Sequence, residues 1–306
     1  MVFIKVVFGS SESMKEVEDN SVQLVVTSPP YYNAPFDFPG FFKSYDEFLE
    51  LLRKVGKELL RVLAPGRLAC FVTQDVRIDK KLYPIVADLI HVMVYEVGFE
   101  YQEKIIWKKP EGYIRISRRS GVLIQHPYPM FYYPDNIYEE IVVFKKPGKF
   151  DRSLLTEDIR EKSRINTFKF QQEKWYLSVW DIKNVLPSEK WSKYTAVFPE
   201  EIPERLITLY SYVGERVLDP FMGTGTTCVV ARRLNRNCIG YELDLELKEA
   251  IEERLKVKQA TLTSEETQIE FIEREDAKHL RTKLRKEIEK RINSRENFLG
   301  SVYMSI

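Results

Sequence analysis

The chain has 306 residues, 44% of them apolar and 30% charged, which is the balance of a folded protein and excludes a disordered one. Its net charge of +1 is unevenly spread: residues 101–200 carry 18 Lys/Arg and 13 Asp/Glu, a net +5, so the remainder carries −4. That middle stretch is also dense in Tyr, Phe and Trp, a mixture suited to a polyanionic partner, with a solvated surface over ordinary core aromatics as the competing reading.

No apolar run approaches the roughly 18 residues of a membrane span. The start, "MVFIKVVFGSSESM", lacks the ordered regions of a signal peptide, so a cytoplasmic protein is expected. Cys70, Cys228 and Cys238 are odd in number and have no CxxC spacing. They read as buried free thiols in a reducing compartment. His91, His126 and His279 are scattered, so neither a metal site nor a Ser-His triad is expected.

In chain order, strands and helices alternate. "FIKVVFG" (3–9) and "SVQLVVTS" (21–28) read as strands, the second stopped by Pro29-Pro30. Residues 44–63 have apolar side chains at helical spacing, with Ser44 as N-cap and Glu47 completing a capping box. Pro65-Gly66 is expected to end that helix before a strand at 67–74. A helix over 82–98, closed by Gly98, precedes strands at 100–109 and 139–146. Between 110 and 138, and from 148 to 192, periodicity fails. These stretches read as functional loops or an inserted module. A helix (199–213), a strand (215–221), a glycine loop opening a helix (223–235) and a strand (237–244) follow. The tail reads as a charged helix (245–258), a strand (268–274) and a last charged helix (277–292). Such alternation predicts an α/β fold with a largely parallel sheet covered on both faces.

Two motifs carry the chemistry. In "VLDPFMGTGTT" a strand ends at Asp219, and Gly223 and Gly225 let the backbone approach a ligand. About twenty residues on, a second strand ends in Glu242, placed for a pair of ribose hydroxyls. Cys228 stands where G-x-G-x-x-G needs its third glycine, and no Lys follows Gly225, so neither a dinucleotide fingerprint nor a P-loop is present. A nucleoside pocket for a ligand without phosphates remains. The other motif, "TSPPYY" (27–32), is either a plain strand stop or a rigid turn that holds polar and aromatic groups.

Together these motifs resemble motifs IV and I of the S-adenosylmethionine-dependent DNA amino-methyltransferases, in the order of the family's β group. "YTAVFPEEIPERLITLYS", "LAPGRLACFVT", "VGFEYQEKIIWKKP" and "YEEIVVFKK" are similar to further family segments, so the likeness covers most of residues 1–258. It implies a Rossmann-like methyltransferase sheet, mostly parallel with helices on both faces. Residues 1–147 and 192–306 would form the catalytic domain, and 148–191 with the loop 110–138 an irregular target-recognition region.

The resemblance also implies roles. The Ser28 hydroxyl and Pro29 carbonyl would accept the two N–H bonds of an exocyclic amino group, Pro30 would stiffen the turn, and Tyr31 would stack on a base flipped from the duplex. S-adenosyl-L-methionine would lie against Asp219, Phe221, Gly223, Gly225 and Thr226, with Glu242 on its ribose and Thr195, Phe198 and Pro199 near its methionine part. Where the family usually has Gly-Asp after the first strand, this chain has Gly9-Ser10, and where it often has His-Pro, this chain has Tyr194-Thr195. Asp276 is the candidate to replace the missing acid at the adenine end. Lys108, Lys109, Arg115, Arg118 and Arg119 are the DNA-contact candidates. The partners implied are double-stranded DNA, a second copy of the chain and a cognate restriction endonuclease of a restriction-modification system. Ser28 ahead of the prolines leans towards cytosine N4, with adenine N6 as the alternative. An RNA methyltransferase and a DNA-binding protein without catalysis are the other readings.

Overall fold

The structure is a computed structural model that describes residues 1–34, 40–78, 81–110, 127–129, 134, 136–185, 198–256 and 267–280. Strands β1 (Val2–Phe8) and β2 (Val22–Thr27) lead into helix α1 (Tyr45–Val62). The Ser44 hydroxyl accepts the Glu47 N–H at 3.2 Å and caps α1 as expected. The expected capping box is not completed: the Glu47 carboxylate accepts the Lys43 N–H at 2.7 Å instead of that of Ser44.

Strand β3 (Leu63–Thr73) starts directly at the end of α1, so Pro65-Gly66 lies inside it and does not separate the two elements. The register against β2 slips between Val22 and Leu24, which accommodates the irregular stretch. A small hairpin, β4 (Val76–Ile78) with β5 (Lys81–Tyr83), follows. The helix expected over 82–98 is in fact β5, α2 (Ile85–His91) and a π-type turn over Val92–Val97 that ends at left-handed Gly98. The looser turn lets Met93 and Val97 reach Gly56 on α1, where a Cβ would lie 2.8 Å from the Met93 sulfur.

Strands β6 (Glu100–Lys108) and β7 (Tyr138–Lys145) match the alternating pattern. The aperiodic middle contains short helices α3 (Glu157–Lys162) and α4 (Thr167–Gln172) and strand β8 (Val179–Asp181). The chain then runs α5 (Glu201–Tyr210), β9 (Arg216–Asp219), α6 (Thr226–Arg233), β10 (Asn237–Glu242), α7 (Lys248–Lys256) and β11 (Thr267–Glu273). Residues 277–280 are not helical: Lys278 bridges to Asp244. The remainder of the expected final helix lies outside the described residues.

Among the described residues, nine strands form one sheet in the order β11-β1-β10-β9-β2-β3-β7-β6-β8. Neighbours are parallel from β11 to β3, and β7 is antiparallel to both β3 and β6. Period-two alternation sorts the strand side chains onto two faces. Val25, Phe71 and Phe144 join a core with α1 and α2, while Val26, Cys70 and Val143 join one with α5, α6 and α7. Both faces are therefore covered, as the alternation predicts.

From β9 the chain winds through α6 to β10, and from β2 through α1 to β3, in opposite directions across the sheet. These two strands pair directly, with Leu24 opposite Val217 and Val25 opposite Leu218. A crevice opens at the carboxyl ends of strands where the winding reverses. Both motifs sit there.

A further expectation fails. Cys228 and Cys238 are joined in a disulfide, and among the described residues only Cys70 is a buried free thiol. The reason is tertiary. The first turns of α6 pack on the adjacent strand β10 and bring the two Cα atoms within 5.3 Å, inside disulfide range, although the sequence shows no CxxC pair.

Candidate active site

A pocket of about 500 Å³ lies over the carboxyl ends of β1, β10, β9 and β2, a size in the range of small-molecule sites. Ser28, Pro29, Pro30 and Tyr31 line one side, and Phe221, Gly223 and Glu242 line the other.

The two sides are tied at the seam. The Thr27 hydroxyl donates to Asp219 Oδ1 at 2.7 Å, and the Thr227 hydroxyl to the Val26 carbonyl at 3.2 Å. Asp219 is buried beneath the pocket floor. Burial pushes its carboxyl up to about 6, against the lowering effect of bonds from the Thr27 hydroxyl and the Phe221 N–H. Asp219 thus joins the motifs and shapes the turn, while Phe221, whose N–H it accepts at 3.1 Å, meets the pocket.

The glycine loop is shaped by its backbone. Gly223 and Gly225 have φ of 55° and 87°, the left-handed region where a Cβ is disfavoured. The Met222 N–H donates to the Tyr241 carbonyl at 2.8 Å, and the Met222 side chain lies on Gly240, where any Cβ would fall on its sulfur. Glu242 Oε2 accepts the Gly223 N–H at 2.8 Å and Oε1 the Asp244 N–H at 2.9 Å.

Thr226 lines the pocket, but its hydroxyl accepts from Arg254 Nη1 at 2.9 Å. Arg254 also donates to Thr224 at 2.8 Å and to Glu200 at 3.1 Å, locking the loop from α7. Sequence reasoning missed it. The signal was an arginine on the helical face of Leu247, Ile251 and Leu255, a position that periodicity assigns to the core.

At the far end, Asp276 follows the edge strand β11 and reaches the residues that follow β1. Its Oδ2 accepts the Ser10 N–H at 3.1 Å and an Arg274 N–H at 2.9 Å. Its Oδ1 is buried without a hydrogen-bond partner among the described residues and lies where a Cβ on Gly9 would come within 2.7 Å. Phe198 also lines the pocket; Pro199 accepts the Ile202 N–H at 3.1 Å at the start of α5, and Thr195 lies outside the described residues.

On the opposite side, the Ser28 hydroxyl and Pro29 carbonyl have no hydrogen-bond partner among the described residues. Tyr31 is only 5% exposed, and its hydroxyl donates to Glu139 Oε2 at 2.7 Å. Glu139 was not foreseen, although an acid in phase with Ile141 and Val143 on β7 breaks the apolar pattern. Of the DNA-contact candidates, Lys108 is half-exposed near Asp181, whereas Lys109 is only partly exposed and pairs with Glu139 at 2.6 Å. Lys109 is thus not a free surface cation. Arg115, Arg118 and Arg119 lie outside the described residues.

Comparison with known proteins agrees with this arrangement. Residues 22–253 match the N6/N4 methyltransferase family of DNA methylases. The chain is 34% identical to the type II methyltransferase M.MjaI of Methanocaldococcus jannaschii, over 88% of this chain and 96% of that one. It is also 34% identical to the type II methyltransferase M.MthZI of Methanothermobacter thermautotrophicus, over 82% of this chain and 76% of that one. A DNA modification methylase of Thermus thermophilus, TTHA0409, solved in complex with S-adenosyl-L-methionine, superposes with a TM-score of 0.68 at 29% identity, covering 88% of this chain and 98% of that one. The match spans both pocket-forming motifs and every strand from β2 to β10, and on that ground the chain belongs to the N6/N4 family of DNA methylases.

Proposed function

We propose that the protein transfers a methyl group from S-adenosyl-L-methionine to the exocyclic amino group of a base flipped out of duplex DNA, with cytosine N4 as the target. The observation that carries this reading is that the Ser28–Tyr31 turn and the glycine loop share one pocket.

The pocket's chemistry fits the cofactor. The buried, unpartnered Asp276 Oδ1 calls for a donor such as an adenine amino group. The Glu242 carboxylate lines the pocket and suits a ribose diol. The left-handed glycines leave room for the nucleoside against the Phe221 turn. When bound, S-adenosyl-L-methionine supplies an electrophilic methyl on a sulfonium.

The amino nitrogen of a nucleobase is a poor nucleophile because its lone pair is delocalised into the ring. Ser28 and the Pro29 carbonyl would accept its two N–H bonds and draw the nitrogen towards a tetrahedral state. The prolines hold φ fixed, so these acceptors keep their aim without reorganisation. No side-chain nucleophile is required. Tyr31 would present its ring to the base. The neutral serine, where the family's adenine enzymes more often carry aspartate, favours cytosine.

Residues 1–147 and 192–306 are assigned to catalysis, and 148–191 with 110–138 to target recognition. In the described part of that region, Phe168 and Tyr176 are exposed, while Trp175 and Trp180 pack on the Arg205 guanidinium of α5 and seat the module on the catalytic sheet.

Incubation with labelled S-adenosyl-L-methionine and duplex DNA, followed by digestion to nucleosides, tests the proposal. Label in N4-methylcytosine is expected. Label in N6-methyladenine overturns the choice of base. Label in RNA alone, or in no nucleic acid despite cofactor binding, overturns the activity.

A further inference from the structure

The geometry points to Glu139 and Lys109 as positioning residues that set the Tyr31 ring for the transfer, an inference that rests on the proposed function. Two segments distant in sequence, at Tyr31 and Lys109, converge on the Glu139 carboxylate. The Tyr31 hydroxyl donates to Glu139 Oε2 at 2.7 Å, and Lys109 Nζ donates to Oε1 at 2.6 Å. Tyr31 and Glu139 are 5% and 6% exposed, so the chain of bonds runs through the protein and not along its surface.

An isolated carboxylate at such a depth would be costly, and a buried charge is held only when paired and hydrogen-bonded. Lys109 provides that pairing. Its own ammonium is further fixed 4.9 Å from the Trp107 ring centre, and its backbone N–H is bound to the Ile137 carbonyl at 2.8 Å. The phenol oxygen is thus tied to β7, and β7 to the end of β6. The ring cannot swing without breaking a charge-assisted bond. The same geometry removes Lys109 from the set of phosphate contacts.

The test compares Tyr31→Phe, Glu139→Gln, Lys109→Met and Lys109→Arg with the wild-type chain. Cofactor dissociation constants come from calorimetry, kcat and KM from methylation of unmodified duplex DNA, and the salt dependence of binding from a mixed-sequence duplex. Tyr31→Phe, Glu139→Gln and Lys109→Met should each lower kcat by about tenfold, with cofactor affinity within about twofold of wild type. Tyr31→Phe combined with Glu139→Gln should lose no more than Tyr31→Phe alone, because Glu139→Gln acts on the ring only through the bond that Tyr31→Phe removes. Lys109→Arg should restore most of the loss, and Lys109→Met should leave the salt slope unchanged.

Additive losses, or intact kcat in variants that lose only thermal stability, would overturn the inference. A salt slope shallower by about one for Lys109→Met would instead place that residue on a phosphate and overturn it too. A wild-type chain that labels no DNA removes the proposed function and this inference together; a wild type that labels DNA beside variants that match it removes this inference alone.

Discussion

The two sides of the pocket are built on opposite principles. On the β9 side nearly every polar group is already engaged. Gly223 is bonded to Glu242, Met222 to Tyr241, and Thr224 and Thr226 to Arg254. On the β2 side the turn is stiffened by prolines and tied down at Tyr31, while Ser28 and the Pro29 carbonyl keep their acceptor capacity. One side is a finished shelf. The other is a set of acceptors held open for a substrate. The contrast separates binding from chemistry: damage to the shelf should change cofactor affinity, and damage to the turn should change the rate.

The sharpest way to break this contrast is Ser28→Ala. Removing one pre-aimed acceptor should lower kcat by about 100-fold, with the cofactor dissociation constant unchanged in calorimetry. Full activity would take Ser28 out of the mechanism. Glu242→Gln should do the reverse. It leaves an amide where a carboxylate accepts two N–H groups, so cofactor binding should weaken about tenfold while kcat at saturating cofactor stays near wild type. A collapse of kcat at saturation would show that the shelf also governs the chemistry.

A structural variant tests whether the shelf owes its shape to packing. Gly240→Ala puts a methyl on the Met222 sulfur, and Met222 is the second residue of the turn after Pro220. Overpacking of this kind costs about 1–3 kcal/mol. Chemical denaturation should show that loss, and the double variant with Met222→Ala should recover part of it. An undisturbed single variant would mean that the loop is held by its backbone bonds alone.

What was legible in the sequence divides along local and long-range lines. Strand β2 ends at Thr27 because two prolines follow, and α6 begins at Thr226 because glycine precedes it; both signals lie within a few residues. The pairing of β2 with β9 joins segments far apart in the chain, and periodicity carries no such information. For that reason the Cys228–Cys238 bond, the Arg254 latch and the Glu139–Lys109 pair escaped the reading, although the two buried charges left a trace as breaks in apolar phase. Asp276 is the instructive intermediate. The missing acid after β1 suggested a substitute from the tail, and the structure brings Asp276 to the Ser10 N–H. The strand that delivers it, β11, lies beyond the matched residues 22–253. Its charged helix-like surroundings gave no sign of parallel pairing with β1.

A pH series probes the seam where the two sides meet. Asp219 is fully buried, and burial raises its carboxyl in the folded chain to about 6, above its ordinary value of 3.8. Between these values the folded state binds the proton more tightly than the unfolded state. Asp219 therefore contributes stability below about pH 4 that is lost as pH rises through about 6. Asp219→Asn keeps an oxygen for the Thr27 hydroxyl and the Phe221 N–H but has no charge to bury. The stability of the variant relative to wild type should then improve by about 2–3 kcal/mol between pH 4 and pH 7, with the change centred near pH 5 and flat above pH 7. Denaturant titrations of both chains across that range measure the difference directly. A difference that does not vary with pH would mean that folding leaves the Asp219 carboxyl at its ordinary value, and that the seam accommodates the buried charge without the penalty argued here.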